Sequence, residues 1–473
     1  MSSSFKLKLL RADTAVDSIP VLTEDNYLNP PVVSRKPQAD CTNDVKVQYS
    51  QRVGLEIAEI VGIAKGDWGN WVLMSDGRVW TWGLWYMAGQ CDDLNSDDSE
   101  VPVLVNTTDL TWRITNSDWY PYGQGVGYIK IVDIQSGSAA GDIVFCLDSN
   151  GQVWALGSCD GWASRCRCGD SGYPPDNDYQ GSIDCLMAVA GSYYNEHSFS
   201  FAKPGAHNSV AIDTSGKLWA WGDTIYGIVG NGTCHEGGVP EVCIDHRISG
   251  DMCVPFNIVN SNQDGSGDIS TMTWIDCVSA YEVAAAVNSS GELYTWGTNV
   301  YGELGHGVDY GDNSPYSDYW PYPTKVGTDT DWVRVFAGEG CLAAMKSDGT
   351  VWFCGWDIAG AFGMGSYDNY YSTFTKGAND MSFEEFRFAF YWSMGRSGDK
   401  TYTWGMDVGS GNLGQGDTND YFSPTELPVH LELFDIAQYA GIGVDYSGNV
   451  WHWGYDVLGE TLSPIMFDND WIS

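Results

Sequence analysis

Short apolar runs recur along the chain, each followed by a polar turn containing glycine and then by a second run in which large and small apolar residues alternate. WVLM precedes Ser75-Asp76-Gly77 and VWTWG, IVFCL precedes Ser149-Asn150-Gly151 and VWALG, and SVAI, AAAV, LAAM and IGV stand in the same place before later turns. Asp-Gly and Asn-Gly accept positive φ and join antiparallel strands of matching twist, so each unit predicts a hairpin. In the second strand Trp80 and Trp82 share one face while Val79 and Thr81 share the other, and Trp219 and Trp221 stand likewise against Leu218 and Ala220. Both faces are apolar or small, which requires a neighbouring sheet on each side.

The second strand belongs to a phrase that occurs seven times: DGRVWTWG ending at Gly83, NGQVWALG at Gly157, SGKLWAWG at Gly222, SGELYTWG at Gly297, DGTVWFCG at Gly355, GDKTYTWG at Gly405 and SGNVWHWG at Gly454. The last two steps between phrases are 50 and 49 residues and the earlier ones are longer, so the unit is near 50 residues with insertions in the early repeats. Another apolar stretch lies upstream of the hairpin: IVGIAKG, IVDIQSG, IDCVSAY, VRVFAGEG and LFDIAQY. Four strands fit in such a unit, and a ring of radially packed blades buries both faces of each hairpin while leaving only short edges. The fold class expected is all-β: a seven-bladed β-propeller over residues 53–473 preceded by an extended N-terminal arm, residues 1–52.

After the Trp-Gly of the phrase the chain reads WGTNVYGELGHG from Trp296, WGDTIYGIVGNG from Trp221, GWDIAGAFGMG from Gly355 and GMDVGSGNLGQG from Gly405. With the SDGTVWFCG type of hairpin, this resembles the repeat of the regulator of chromosome condensation family over roughly residues 53–473. The resemblance implies seven blades around a channel. That family commonly places a His after the Gly of the upstream strand, which only His207 in KPGAHNSVAID matches. Its founding members bind chromatin and exchange nucleotide on a small GTPase, but the loops that would carry those roles do not match, so the resemblance speaks to architecture.

Charge narrows the partners. Lys and Arg number 23 against 62 Asp and Glu, a net charge of −39, and such a surface repels phosphate backbones, so no nucleic acid is expected. No run of 18 apolar residues occurs, and the start MSSSFKLKLLRAD lacks the continuous apolar core of a secretory signal, so synthesis in a cytosol without membrane insertion is expected. Of 13 cysteines, Cys146, Cys277, Cys341 and Cys354 fall in apolar strand patterns and read as core, whereas Cys91, Cys159, Cys166, Cys168, Cys185, Cys234, Cys243 and Cys253 lie in connections.

Chemistry sought in the connections is sparse. GDSG at Gly169–Gly172 matches the string around a serine-protease nucleophile, but no His precedes His197 and the following YPPDND reads as a turn. Cys234, His235, Cys243 and His246 are the candidate metal ligands; their spacing fits no standard zinc pattern, and zinc, a disulfide and free thiols all remain readings. Asp-rich stretches from Asp92 and Asp264 offer Ca²⁺ oxygen ligands, against the plainer reading of solvated acidic loops. No other cofactor is expected. No nucleophile, base and orienting group recur together, so no catalytic residue is named and the chain reads as no enzyme.

Partner-binding candidates are aromatic. Trp119 and Tyr120 in one insertion, and Tyr319 and Trp320 in another, suit a protein interface or stacking on sugar rings. In the arm, FKLKLL sets Phe5, Leu7 and Leu9 on one side and Lys6 and Lys8 on the other, which suits strand addition to a sheet edge and attachment to a partner. The function expected is therefore a non-enzymatic structural platform docking other protein subunits of a larger assembly. A surface-exposed virion component of a tailed phage is one such setting. The alternatives are a glycan- or receptor-binding module and a cytosolic regulator resembling a small-GTPase exchange factor. The closing DNDWIS echoes DTDWVRV at Asp329, so Trp471 is expected to lie against the blade containing Ile57 to Ile63 and help close the ring.

Overall fold

The computed structural model describes residues 58–83, 99–105, 130–137, 143–158, 182–188, 197–206, 208–222, 227–232, 252–262, 265–307, 319–456 and 458–467. These form seven four-stranded antiparallel sheets, each made from four consecutive strands, plus a two-stranded ribbon of Asn260–Ser261 with Gly267–Asp268. A single 3-10 turn at Ala378–Asp380 is the one helical element among the described residues.

The repeated phrase supplies the third strand of every blade and the apolar run the second, paired through the predicted hairpin, as in Leu73 opposite Val79 and Gly69 opposite Gly83. The upstream stretches supply five of the first strands, Ile60–Lys65, Ile131–Ser136, Trp274–Ala280, Trp332–Gly338 and Leu431–Ile436. Phe199–Pro204 and Glu385–Phe388 supply the other two. Each first strand packs against the first strand of the next blade all the way round, including blade 7 against blade 1, so the seven sheets close a ring about one axis.

The two tryptophans of the phrase have different tasks. The first is tied within its own blade: the indoles of Trp154, Trp219 and Trp451 donate to Asp148, Asp213 and Asp445 at 3.1, 2.9 and 3.0 Å, and the other oxygen of each Asp accepts backbone N–H groups of the hairpin turn. The second is fully buried and reaches the blade before it. Trp296, Trp404 and Trp453 donate to the carbonyls of Ile228, Ala361 and Asn412 at 2.7, 2.9 and 2.8 Å, each carbonyl lying in the glycine turn that follows the preceding blade's phrase. Blade 5 has Cys354 in this place, and its thiol donates to the equivalent carbonyl, of Glu303, at 3.0 Å. Phe374 from the outer strand fills the vacated space, since a Cβ on Gly305 would meet its ring at 2.6 Å.

The same glycine turns cover the outer strands. The N–H groups of Gly232, Gly307, Gly365 and Gly416 bond to Pro321, Ser372, Phe422 and Leu462 of the next blade's outer strand at 2.7–3.0 Å. A register shift in that strand accompanies each contact, and the turn thereby occupies edge groups that would otherwise invite pairing with another chain. Hairpin glycines add a third tie. Gly151, at φ +81, accepts from Phe199 at the start of the next blade, and a Cβ on it would meet the Phe199 carbonyl at 2.9 Å.

Blade 7 and blade 1 are each whole in themselves and no strand is exchanged at their seam among the described residues. Closure rests on side chains. Asp435 accepts the backbone N–H of Lys65 at 2.8 Å, Asp67 accepts that of Gln438 at 3.1 Å, and Phe467 packs on Trp82 at 5.2 Å between ring centres. Lys65 is fully buried there, with its ammonium 4.0 Å from the buried Asp456 carboxylate. Trp471 lies outside the described residues.

Candidate functional site

Charged side chains from six of the seven first strands meet near the axis: Asp133, Lys203, Asp276, Arg334, Glu385 with Arg387, and Asp435. Glu385 pairs with Arg334 at 3.0 Å and with Arg387, whose Nε donates to Asp435 at 3.1 Å. The second Asp435 oxygen accepts from Ser136 of blade 2 at 2.6 Å, and Asp276 accepts the Val335 N–H of blade 5 at 2.8 Å. Burial opposes the charge of Glu385, but Arg387 and Arg334 outweigh it and hold its carboxyl below the usual range. Lys203 has no hydrogen-bond or ion-pair partner among the described residues. Burial, together with Arg387 and Arg334, lowers its pKa against the pull of Asp276 and Asp435. Three cations are thus concentrated on the axis of an acidic protein, and the two arginines among them tie blades 5, 6 and 7 together.

The end of the axis where first strands turn into second strands is different. In blades 1, 4, 5, 6 and 7 its connections are two or three residues long, and they place Asp67 and Trp68, Tyr281 and Glu282, Glu339, Phe390 and Tyr391, and Gln438 and Tyr439 around the mouth. Tyr281 lies within electrostatic reach of Glu339, Asp67, Tyr391 and Tyr439, which places these side chains at the same mouth. Burial, with Glu339 and Asp67 adding to it, keeps the Tyr281 phenol protonated well above its ordinary range. Burial also raises the carboxyls of Asp67, Glu282 and Glu339, with Glu339 adding to the rise at Glu282. Tyr281 takes a positive φ of 22° without being glycine, a conformation that costs on the order of 1 kcal/mol or more. The mouth is half-exposed, aromatic and short of cations, so it is built to take up positive charge. Ammonium and guanidinium groups gain there from both carboxylates and ring faces.

The sequence did not single out these mouth residues. They occupy one place in five of the seven repeats, just before the apolar second strand: GDWGNWVLM, SAYEVAAAV, GEGCLAAM, AFYWSM and AQYAGIGV. Only an in-register reading of the repeats exposes that column. Of the residues the sequence did name, Phe5, Leu7, Leu9, Trp119, Tyr120, Cys234, His235, Cys243 and His246 lie outside the described residues. Tyr319 and Trp320 are not on a loop, as expected, but open the outer strand Tyr319–Lys325 of blade 4. Trp320 is only 8% exposed and stacks on His306 at 4.0 Å between ring centres, so its ring packs the blade instead of facing a partner. The four core cysteines, Cys146, Cys277, Cys341 and Cys354, are buried free thiols as expected. Among the described residues no three His, Cys, Asp or Glu side chains are grouped to hold a metal ion, and no helix is long and apolar enough to cross a membrane.

Comparison with known proteins agrees with this architecture. The regulator of chromosome condensation (RCC1) repeat matches residues 290–345. A protein RCC2 homolog of Danio rerio is 22% identical over 376 residues, covering 76% of this chain and 64% of that protein. The ultraviolet-B receptor UVR8 of Arabidopsis thaliana is 26% identical over 275 residues, covering 54% of this chain and 53% of the receptor. The human E3 ubiquitin-protein ligase HERC2 is 26% identical over 232 residues, which are 49% of this chain and 4% of the ligase. The chain thus spans less than two thirds of the length of each. Among solved structures, Prp20p of Saccharomyces cerevisiae superposes with a TM-score of 0.55 at 18% identity, covering 78% of this chain and 76% of Prp20p. Human WBSCR16 does so with a TM-score of 0.52 at 13% identity, covering 74% of this chain and 88% of that one.

Proposed function

As a seven-bladed propeller of the regulator of chromosome condensation type, the chain is, we propose, a non-enzymatic docking platform that receives a cationic segment of a partner protein at the mouth formed by Asp67, Tyr281, Glu282, Glu339, Tyr391 and Tyr439. The convergence of Tyr281 with Glu339, Asp67, Tyr391 and Tyr439 carries the reading. Five blades contribute to it through connections of two or three residues, so the ring holds these side chains in place before a partner arrives and little ordering cost remains. The net charge of −39 attracts a basic partner from a distance and repels nucleic acid. The structure of Prp20p was described together with that protein's binding to Gsp1p and histones, so the architecture is compatible with protein docking. The relatives named above are cellular eukaryotic proteins, and a virion placement forms no part of this reading.

The triple substitution Asp67→Asn, Glu282→Gln, Glu339→Gln tests it. Raised carboxyls are strained in their charged form, so neutralising them leaves the melting temperature unchanged or slightly higher. Partners that co-purify with the intact chain are expected to fall at least tenfold with the variant. Undiminished partner recovery with a folded variant overturns the reading. Nucleotide release from small GTPases by the intact chain would favour an exchange regulator in its place.

A further inference from the structure

We infer that the junction of blades 4 and 5 carries a binding platform for a neutral pyranose ring of a glycan. Trp356 and Tyr370 stand directly opposite each other on the third and outer strands of blade 5, and their rings lie within 11° of parallel at 5.7 Å between centres. The glycine turn of blade 4 brings a third ring to them. Gly302 packs on Ser372 and Gly307 bonds its carbonyl, which sets Tyr301 5.1 Å from Trp356 and 6.0 Å from Tyr370, at 36° and 28° to their planes. Tyr370 is 55% exposed.

The homologous junctions show that folding does not require these rings. At the junction of blades 5 and 6 the corresponding positions are Ala359, Met406 and Asp420, and at that of blades 6 and 7 they are Ser410, Tyr455 and Glu460, with the same turn docked in the same way. Three aromatics come together only at the 4/5 junction of these three. Their geometry selects the ligand. Rings that enclose an alkylammonium group stand at steep angles around it, whereas these three planes differ by at most 36° and pack into a near-parallel cluster whose exposed ring, Tyr370, offers a flat face to a sugar ring. Polar groups line the cluster. The Trp356 indole donates to Asp368 at 3.0 Å, leaving the other carboxylate oxygen for a hydroxyl, and Asp368 holds a positive φ of 58° beside the rings. The acidic surface disfavours sialylated or sulfated sugars.

This site adjoins the Glu339–Gly340 connection, where the Trp356 N–H donates to the Gly340 carbonyl at 3.0 Å, but none of its three rings belongs to the docking mouth and it does not depend on the docking reading. The test is an array of neutral oligosaccharides, among them oligomers of glucose and of N-acetylglucosamine, beside sialylated and sulfated ones, probed with the full chain and followed by calorimetric titration of the best binder. Binding to a neutral glycan is expected, with affinity reduced at least tenfold by Tyr370→Ala and by Trp356→Ala. Tyr370 is exposed enough that its variant keeps the fold even if the tryptophan variant does not, and melting curves check this. No neutral binder, binding confined to anionic glycans, or equal binding by a folded Tyr370→Ala protein each overturns the inference.

Discussion

Replacing Lys65 with Met is expected to lower stability by about 3–5 kcal/mol, because it strands the Asp456 carboxylate in the seam between blades 7 and 1 with no compensating cation. Both side chains are buried, their 4.0 Å contact is an ion pair too long for a hydrogen bond, and the one hydrogen bond to the Asp456 carboxylate among the described residues comes from the Leu458 N–H at 2.9 Å. His452 faces the same pair: burial lowers its pKa, Lys65 lowers it further and Asp456 pulls it up, so losing Lys65 redistributes the charge in a closed space. At the corresponding place blades 2 to 7 carry Ser136, Pro204, Ser279, Ala337, Phe388 and Ile436, so a buried cation there belongs to the seam alone. Urea unfolding reads the loss. The double variant Lys65→Met, Asp456→Asn removes the stranded charge and should regain more than half of it. A single variant that loses under about 1 kcal/mol would show that the pair does not hold the ring closed.

Trp453→Ala is expected to cost about 3–5 kcal/mol and Trp453→Phe about 1–3 kcal/mol. The alanine leaves a cavity between blades 6 and 7, because the ring lies in space left by Gly414 and Gly441, whose added Cβ atoms would meet it at 2.9 and 2.3 Å. The phenylalanine keeps most of the volume and forfeits the 2.8 Å bond to the Asn412 carbonyl. Blade 5 shows what a smaller residue needs here: Cys354 is accommodated because Phe374 fills the gap and the thiol still donates. Blade 7 has Pro464 in the place of Phe374 and has no such compensation. A loss near zero for Trp453→Phe in chemical unfolding would mean that the indole bond, and with it the tie to the preceding blade, contributes nothing.

The repeated phrase made the ring legible from sequence, because strands buried on both faces leave a run without the polar alternation of a half-exposed sheet. Two first strands escaped that reading, Phe199–Pro204 and Glu385–Phe388. Lys203, Glu385 and Arg387 interrupt their apolar pattern, and these are the residues that meet on the axis. The mouth was hidden for a related reason: a pair such as Tyr281-Glu282 has no signature of its own and gains meaning only when its counterparts in four other blades are set beside it. Trp320 misled in the opposite direction. Its cluster YSDYWPYP lacks the small-large alternation of the phrase, yet its register opposite Gly297 turns the ring onto His306 and the core.

The docking mouth is tested most directly by carbodiimide coupling of the intact chain within its native complex, which joins carboxylates to lysines only where they touch, followed by mass spectrometry. The account predicts links from partner lysines to Asp67, Glu282 and Glu339. Partner links confined to other carboxylates, with these three left unlinked, would contradict it.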